Sequence, residues 1–366
     1  MDDMIKVFVV DDSAIVRQAL SEIINGEPQC TLMGIANDPI IAMEKFKKFG
    51  LPDVLILDIE MPRMNGLEFL KKLMRETPLP VIICSSTASL KSKNAMEALS
   101  IGAVKVIQKP EMGVKDFFQE YKQTFINAIK SANNLKIKKT IPVEKYNRFK
   151  KEIHPREFVI EEKKSVDEIL PLLKKPIVKT TAIIGIGAST GGVQTIEKIL
   201  LPISSPLTPP IVIVQHMPAG FTKSFASRLN SLCTIHVKEA EEGDKLLAGR
   251  ALIAPGDKHL TIKRVSNSYV VELKDGEKVS RHKPSVDVLF RSLANEAGEN
   301  AIGIILTGMG SDGAYGLKEL KERGGKTYAQ DAESCVVFGM PREALKMGAT
   351  EKTLSLSEIT EYIQKQ

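Results

Sequence analysis

Along most of the chain, short aliphatic runs alternate with longer stretches in which apolar positions recur every three or four residues. In the first third, KVFVV, TLMGIA, DVLILDI, PVIICS and VKVIQ read as strands. Between the first two lies AIVRQALSEIIN, where Ile15, Val16, Ala19, Leu20, Ile23 and Ile24 form one helical stripe and Ser13 stands at the capping position. Strands that are apolar along their whole length and separated by helices predict a parallel sheet covered on both faces.

The alternation stops between about Ser131 and Thr180, where Lys, Glu and Pro dominate and apolar periodicity is lost. This stretch reads as a basic linker, with a short helix expected in SVDEILPLL. The α/β pattern then resumes. AIIGIG, PIVIVQH, CTIHVKEA, AIGIILTG and KTYAQD are strand candidates, and GRALIAPGDKHLTIKRVSNSYVVELKDGE reads as a β-hairpin insertion with turn signals at Pro255-Gly256 and Asp275-Gly276. The expected organisation is two doubly wound, mainly parallel α/β domains over residues 1–125 and 180–366, joined by a linker over 126–179.

Composition narrows the class. A length of 366 residues suits two domains, and 43% hydrophobic with 26% charged residues belongs to an ordinary globular chain. The net charge of +6 is too mild to argue for nucleic acid. No apolar run reaches bilayer length and no signal peptide is visible, so a cytoplasmic protein is expected. Cys30, Cys84, Cys233 and Cys335 are scattered and form no C-x-x-C pair, which fits free thiols in a reducing compartment.

Ligands of open α/β sheets sit beyond the carboxyl ends of the strands. In the first block those ends carry Asp11-Asp12, Asp58 with Glu60 close behind, Ser85-Ser86 and Lys109-Pro110. Clustered carboxylates repel one another unless a cation lies between them, and oxygen-only ligands suit Mg²⁺. A cation beside a carboxylate, a lysine and a hydroxyl forms a place where a phosphoryl group can land.

These residues, in VVDDSAIVRQAL, LILDIEMPRMNGLEFL, SS and KP, resemble a response-regulator receiver domain, a flavodoxin-like fold, over roughly the first 120 positions. The resemblance implies that Asp58 accepts phosphate from a histidine kinase. It implies that Asp12, Asp58 and the Glu60 carbonyl hold Mg²⁺ with Asp11 assisting through water, that Ser85 follows the phosphate, and that Lys109 pairs with it. Val106 stands where receivers often carry an aromatic switch residue.

In the second block, IIGIGASTGG runs from strand to helix through a glycine-rich turn. As a dinucleotide fingerprint it fits weakly, because Gly191 comes one residue late and the next strand ends in Gln215-His216 with no acid. As G-x-S-x-G it exposes Ser189 on a tight turn before a helix N-terminus. Serine needs a base and an orienting acid. His216 ends the adjacent strand, and TGMGSDG carries Asp312 beyond a later one. Singly these are a cap, a loop histidine and a turn former; three at three strand ends point to a triad. The order Ser, His, Asp differs from the Ser, Asp, His of ordinary α/β-hydrolases. His259, Arg281, His282 and Lys283 are candidates to line the same cleft, while His154 and His236 are given no role.

IGASTGG, QHMP, APGDKHL, RHKPSVD, TGMGSDG and QDAESCVVFGMP resemble the catalytic domain of chemotaxis protein-glutamate methylesterases, a Rossmann-like domain. The resemblance implies hydrolysis of glutamate γ-methyl esters on methylated chemoreceptors without a cofactor for that step, glutamine deamidation by the same chemistry, and an oxyanion held by the backbone N–H groups of Met309 and Thr190. It also implies a receiver that covers the cleft until phosphorylated, and membrane association only through the receptors. The rival readings are a phosphorylation-driven binding module and a small-molecule esterase or amidase.

Overall fold

The computed structural model describes residues 4–61, 63–85, 93–109, 114–134, 164–173, 176–177 and 179–366. Most of the linker, with His154, lies outside the described residues.

The first domain holds β1 (Ile5–Val10), α1 (Ala14–Asn25), β2 (Cys30–Ala36), α2 (Pro39–Phe49), β3 (Val54–Leu57), α3 (Gly66–Glu76), β4 (Val81–Ser85), α4 (Lys93–Ile101), β5 (Lys105–Gln108) and α5 (Val114–Asn134). Its sheet is parallel, in the order β2-β1-β3-β4-β5. The order reverses between β1 and β3, so Asp11, Asp12 and Asp58 leave the sheet at its switch point. Ser13 caps α1, its Oγ accepting from the Val16 N–H at 3.5 Å. Val16, Leu20, Ile23 and Ile24 are buried as the stripe requires, but Ile15 is exposed because it lies about 100° round the helix from Val16. The last helix runs to Asn134 and buries Phe125, Ile126, Ala128, Ile129 and Ala132 in this core, so the domain continues past residue 125.

The second domain holds β6 (Ile183–Ala188), α6 (Gly192–Leu200), β7 (Ile211–Gln215), α7 (Phe221–Leu232), β8 (His236–Glu239), β9 (Arg250–Ile253), β10 (His259–Val265), β11 (Ser268–Lys274), α8 (Val286–Glu296), β12 (Ala301–Ile305), α9 (Ala314–Glu322), β13 (Lys326–Gln330), α10 (Met340–Lys346), β14 (Lys352–Leu354) and α11 (Leu356–Gln364). Seven strands form one parallel sheet in the order β14-β13-β12-β6-β7-β9-β8. Arg250–Ile253, expected inside the hairpin, instead pairs between β7 and β8, as befits a strand whose last three residues are buried. The hairpin proper is β10-β11, and it turns at Ser266-Asn267 rather than at Pro255-Gly256. Here the switch point lies between β12 and β6.

Residues 164–173 dock on this second domain. SVDEILPLL gives only a 3₁₀ turn, Val166–Glu168, capped by Ser165 and stopped ahead of Pro171, which has no N–H to continue a helix. Asn295 of α8 accepts from the Leu173 N–H at 2.8 Å and donates to the Pro171 carbonyl at 2.9 Å. The guanidinium of Arg291, fully buried, donates to Asp167, to the Leu170 carbonyl and to Glu319 of α9. The structural unit around the second sheet thus includes a strap that begins well before residue 180.

The two domains touch at the second sheet's carboxyl edge. Helix α4 packs against α6 and α7, with the Gln194 amide donating to the Leu99 carbonyl. At the end of α5, the Ser131 hydroxyl meets the Met309 thioether, and Val337 packs against the first domain's core.

Candidate active site

In the first domain, carboxylate oxygens of Asp11, Asp12 and Asp58 lie within 4.8 Å of one another. Asp11 and Asp58 are buried and Asp12 is exposed. The Lys109 ammonium stands 2.8 Å from Asp11 and 2.6 Å from Asp58. Burial pushes the Asp58 carboxyl up to about 6 against the opposing pull of Lys109, and it raises Asp11 as well. Burial also acts to lower Lys109, but the two facing carboxylates outweigh it and hold the ammonium above its ordinary value. The Glu60 N–H donates to Asp58 Oδ1 at 3.3 Å. Ser85 is buried at the end of β4, where its carbonyl accepts from the Lys109 N–H at 2.7 Å. Val106 is partly buried against the core. Hard oxygen donors, one of them open to water, fit a divalent cation such as Mg²⁺.

In the second domain, the parallel register sets Ala188 opposite Gln215, so the next residues on each strand, Ser189 and His216, leave the sheet side by side. Gln215 bridges them: its side-chain N–H groups donate to the Ser189 carbonyl at 2.9 Å and the His216 carbonyl at 3.3 Å. Asp312 arrives from the far side of β6, seven residues after β12 ends. It lies 2.7 Å from His216 Nε2. His216 Nδ1 is buried and has no hydrogen-bond partner among the described residues. Burial drives the His216 imidazole down to about 3, with the Lys105 cation of β5 adding to the effect. Lys105 keeps solvent access by area, yet protein crowds its ammonium enough to hold it below the usual lysine range.

What holds Asp312 was not foreseen from the sequence. Its carboxylate accepts from Ser285 Oγ at 2.7 Å, from the Val286 N–H at 2.8 Å and from the Asp287 N–H at 3.0 Å. These donors form the N-terminus of α8, where Ser285 is the cap and the helix dipole favours an anion. RHKPSVD reads from sequence only as a source of cleft candidates, and its target, 25 to 27 residues downstream, leaves no mark in the sequence. His259, expected in the cleft, is fully buried and instead braces this cap: Nδ1 accepts from the Ser285 N–H at 3.2 Å and Nε2 faces the Glu277 carbonyl at 2.9 Å. Asp287 is buried too, and burial together with the nearby Asp312 pushes it up to about 7.

The glycines of β6 answer to this same helix. A Cβ on Gly187 would stand 2.1 Å from Val286, so the bare backbone is what lets the start of α8 reach the sheet edge. Gly187→Ala is expected to cost about 1–3 kcal/mol by overpacking and to lower activity by displacing the cap, read by urea denaturation beside an esterase assay. Gly191, at φ +80°, makes the left-handed turn into α6.

Among the described residues neither the Met309 nor the Thr190 amide N–H has a hydrogen-bond partner. Thr307 ties their loops together, its hydroxyl donating to the Thr190 carbonyl at 3.0 Å and accepting from the Val337 N–H at 2.8 Å. Of the expected cleft residues, Arg281 is exposed at φ +71°. Lys283 is committed elsewhere, 2.9 Å from Asp275 and 3.0 Å from the Gly276 carbonyl, because the chain folds back on the hairpin end there. His282 lies flat on His216, with ring centroids 3.7 Å apart and planes 10° apart.

An acidic switch-point pocket in the first sheet, and in the second a His216–Asp312 contact beside the turn that carries Ser189, define the class: a receiver-type α/β domain followed by a second, Rossmann-like α/β domain. Comparison with known proteins makes this particular. The model of the CheB methylesterase family matches residues 184–363, and that of the response regulator receiver domain matches residues 7–118. A Geobacter metallireducens protein named protein-glutamate methylesterase/protein-glutamine glutaminase 3 is 48% identical over 363 residues, 98% of each chain. A Chromobacterium violaceum protein of the same name, numbered 2, is 50% identical over 362 residues, 98% of this chain and 99% of its own. The solved catalytic domain of Thermotoga maritima CheB methylesterase is 39% identical, spans 51% of this chain and 99% of its own, and superposes with a TM-score of 0.49. The chain belongs to the CheB methylesterase family and carries a receiver domain ahead of the catalytic one.

Proposed function

We propose that the chain hydrolyses glutamate γ-methyl esters on chemoreceptor cytoplasmic helices, deamidates receptor glutamines by the same chemistry, and is switched on by phosphorylation of Asp58. The observation that carries the hydrolytic reading is the 2.7 Å contact of His216 Nε2 with a carboxylate already held by three other donors, beside the serine of a strand-to-helix turn. With Nε2 donating to Asp312, Nδ1 is the basic nitrogen left for the Ser189 hydroxyl proton.

Ser189 Oγ attacks the ester carbonyl while His216 takes its proton. The N–H groups of Met309 and Thr190 stabilise the oxyanion, each such donor being worth about 10²–10³ in rate. The tetrahedral species collapses by breaking the C–O bond, and His216 protonates the departing methanol. Water then attacks the acyl-serine, again through His216, releasing glutamate and restoring Ser189. With a glutamine, ammonia leaves instead.

In the first domain Asp11, Asp12, Asp58 and the Glu60 carbonyl would hold Mg²⁺, which neutralises the incoming phosphoryl charge. Asp58 accepts the phosphoryl group from a kinase, with Lys109 paired to it and Ser85 within the same strand-end cluster. The domain contacts support an off state: α4 on α6 and α7, Ser131 on Met309, and the Lys105 cation close enough to oppose charge on His216. A phosphorylated receiver that no longer fits this seat would release the cleft. A coupling of about 1–3 kcal/mol changes activity roughly 5- to 150-fold. Among the described residues no helix is long and apolar enough to cross a membrane.

Methanol release from methylated receptor membranes, with and without acetyl phosphate, tests both halves. The unmodified chain is expected to be stimulated within that range, Ser189→Ala to release no methanol, and Asp58→Asn to give one rate in either condition. Undiminished release by Ser189→Ala would sink the triad, and full stimulation of Asp58→Asn would sink the switch.

A further inference from the structure

A second imidazole, that of His282, lies against one face of His216. The rings of His216 and His282 are stacked 3.7 Å apart at 10°, close to van der Waals contact over the whole ring. His282 reaches this position from the tight Ser280-Arg281 turn, whose residues both have positive φ, and Ser280 is anchored to Asp287 at 2.9 Å. The loop on its other side is fixed by the Ser285 cap on Asp312 and by Lys283 on the hairpin. Both ends of the segment are therefore held by the same groups that hold the triad acid. A ring delivered by two strained residues and anchored on both sides is poorly suited to swing with a substrate. It is well suited to keep a neighbour's plane.

The geometry points to His282 as a positioning residue for the base: its ring, stacked on His216, holds the plane of that imidazole with Nε2 on Asp312 and shields it from water. This rests on the triad reading above. The stacked ring must also be neutral, a requirement that follows from distance. When His216 takes the serine proton, an imidazolium forms against the face of His282. A neutral π-face accepts that cation favourably, whereas a charged ring would repel it. The groups facing His282 are His216, Asp312, Lys278 and, from the receiver, Lys105, with Arg281 and Lys283 flanking it in the chain. Burial acts first and most strongly against charge on His282. His216, Lys105 and Lys278 reinforce that, and only Asp312 opposes it.

The test is the pH dependence of kcat for the intact chain without phosphodonor, its receiver seated as here, carrying His282→Phe or His282→Gln, with Ser189→Ala alongside. Phenylalanine keeps a flat ring that cannot charge, so kcat within about threefold of the parent and the parent's acid limb are expected. Glutamine keeps polarity but removes the plane. A kcat lower by about 10- to 100-fold at unchanged KM is expected, since a misplacement of about 1 Å costs up to 10². Admitting water to His216 should also move an acid limb up toward about pH 6.5, the unperturbed histidine range. A merely structural histidine would leave the acid limb alone. A glutamine variant with parental kcat and pH profile, or one altered in KM only, overturns the inference, as does a folded phenylalanine variant with low kcat. If glutamine prevents folding, the phenylalanine variant decides alone. Activity retained by Ser189→Ala would instead overturn the triad reading, and the two failures are thus distinguishable.

Discussion

Asparagine at position 312 is expected to lower kcat by about 10⁴-fold in the methanol-release assay, the loss seen when a triad acid is made an amide. The substitution is nearly isosteric, so the effect must come from hydrogen-bond polarity. Asp312 is surrounded by donors alone: Ser285 Oγ and the Asp287 N–H converge on Oδ1, and His216 Nε2 and the Val286 N–H converge on Oδ2. An amide can satisfy only one of those pairs, because its NH₂ must face the other. If the NH₂ faces Ser285 and Asp287, a backbone N–H that cannot rotate is left against another donor. If it faces His216 and Val286, the imidazole must change tautomer and present Nε2 as acceptor, which puts the proton on Nδ1, where the serine proton should go. Either arrangement leaves a buried donor unpaired at about 1–3 kcal/mol, so the midpoint of urea unfolding should fall as well. A variant keeping more than a tenth of the parental kcat would mean that Asp312 does not orient the base.

The parts of this machinery that sequence could disclose are those written in single strands and turns. Most strands of the two sheets announced themselves as apolar runs, although β14 did not, and their carboxyl ends carried Asp11, Asp58, Lys109, Ser189 and His216 in plain view. What stayed hidden depends on long-range pairing. RALI looked like part of a hairpin because its parallel partners, β7 and β8, lie on earlier stretches of chain with no local mark of adjacency. Lys283, a free cation in sequence, is consumed by Asp275 because the chain folds back on the hairpin. The contacts of Asp312 with α8, and of His282 with His216, span 25 to 66 residues and obey no periodicity. The glycines of β6 invited a phosphate-binding or hydrolase explanation, whereas Gly187 answers to Val286 across the layer.

The strap over 164–173 leads to the second large effect. A fragment beginning at Lys164 is expected to fold and to hydrolyse receptor esters faster than the unphosphorylated whole chain, by the same 5- to 150-fold as phosphorylation, since under the proposed switch both remove the receiver from the cleft. A fragment beginning at Thr180 lacks Asp167, the Leu170 carbonyl and the Leu173 N–H. That strips the buried Arg291 guanidinium of two of its partners and uncovers Val166's site against Val279 and Val288. Glu319 alone must then balance Arg291, with a donor left unmet. An unmet buried donor costs about 1–3 kcal/mol, and the lost Asp167 charge adds little because that carboxylate is exposed and Glu319 still neutralises Arg291. Arg291 and Asn295 sit on α8, the helix whose first turn holds Asp312, so loosening the strap also loosens the acid. The shorter fragment should therefore unfold at lower urea and hydrolyse more slowly than the longer one at 25 °C. Urea titration of both fragments, with initial rates on methylated receptor membranes, checks this. Equal stability and equal rates would show that the strap is mere linker, and a slow but folded 164–366 fragment would show that the receiver does more than cover the cleft.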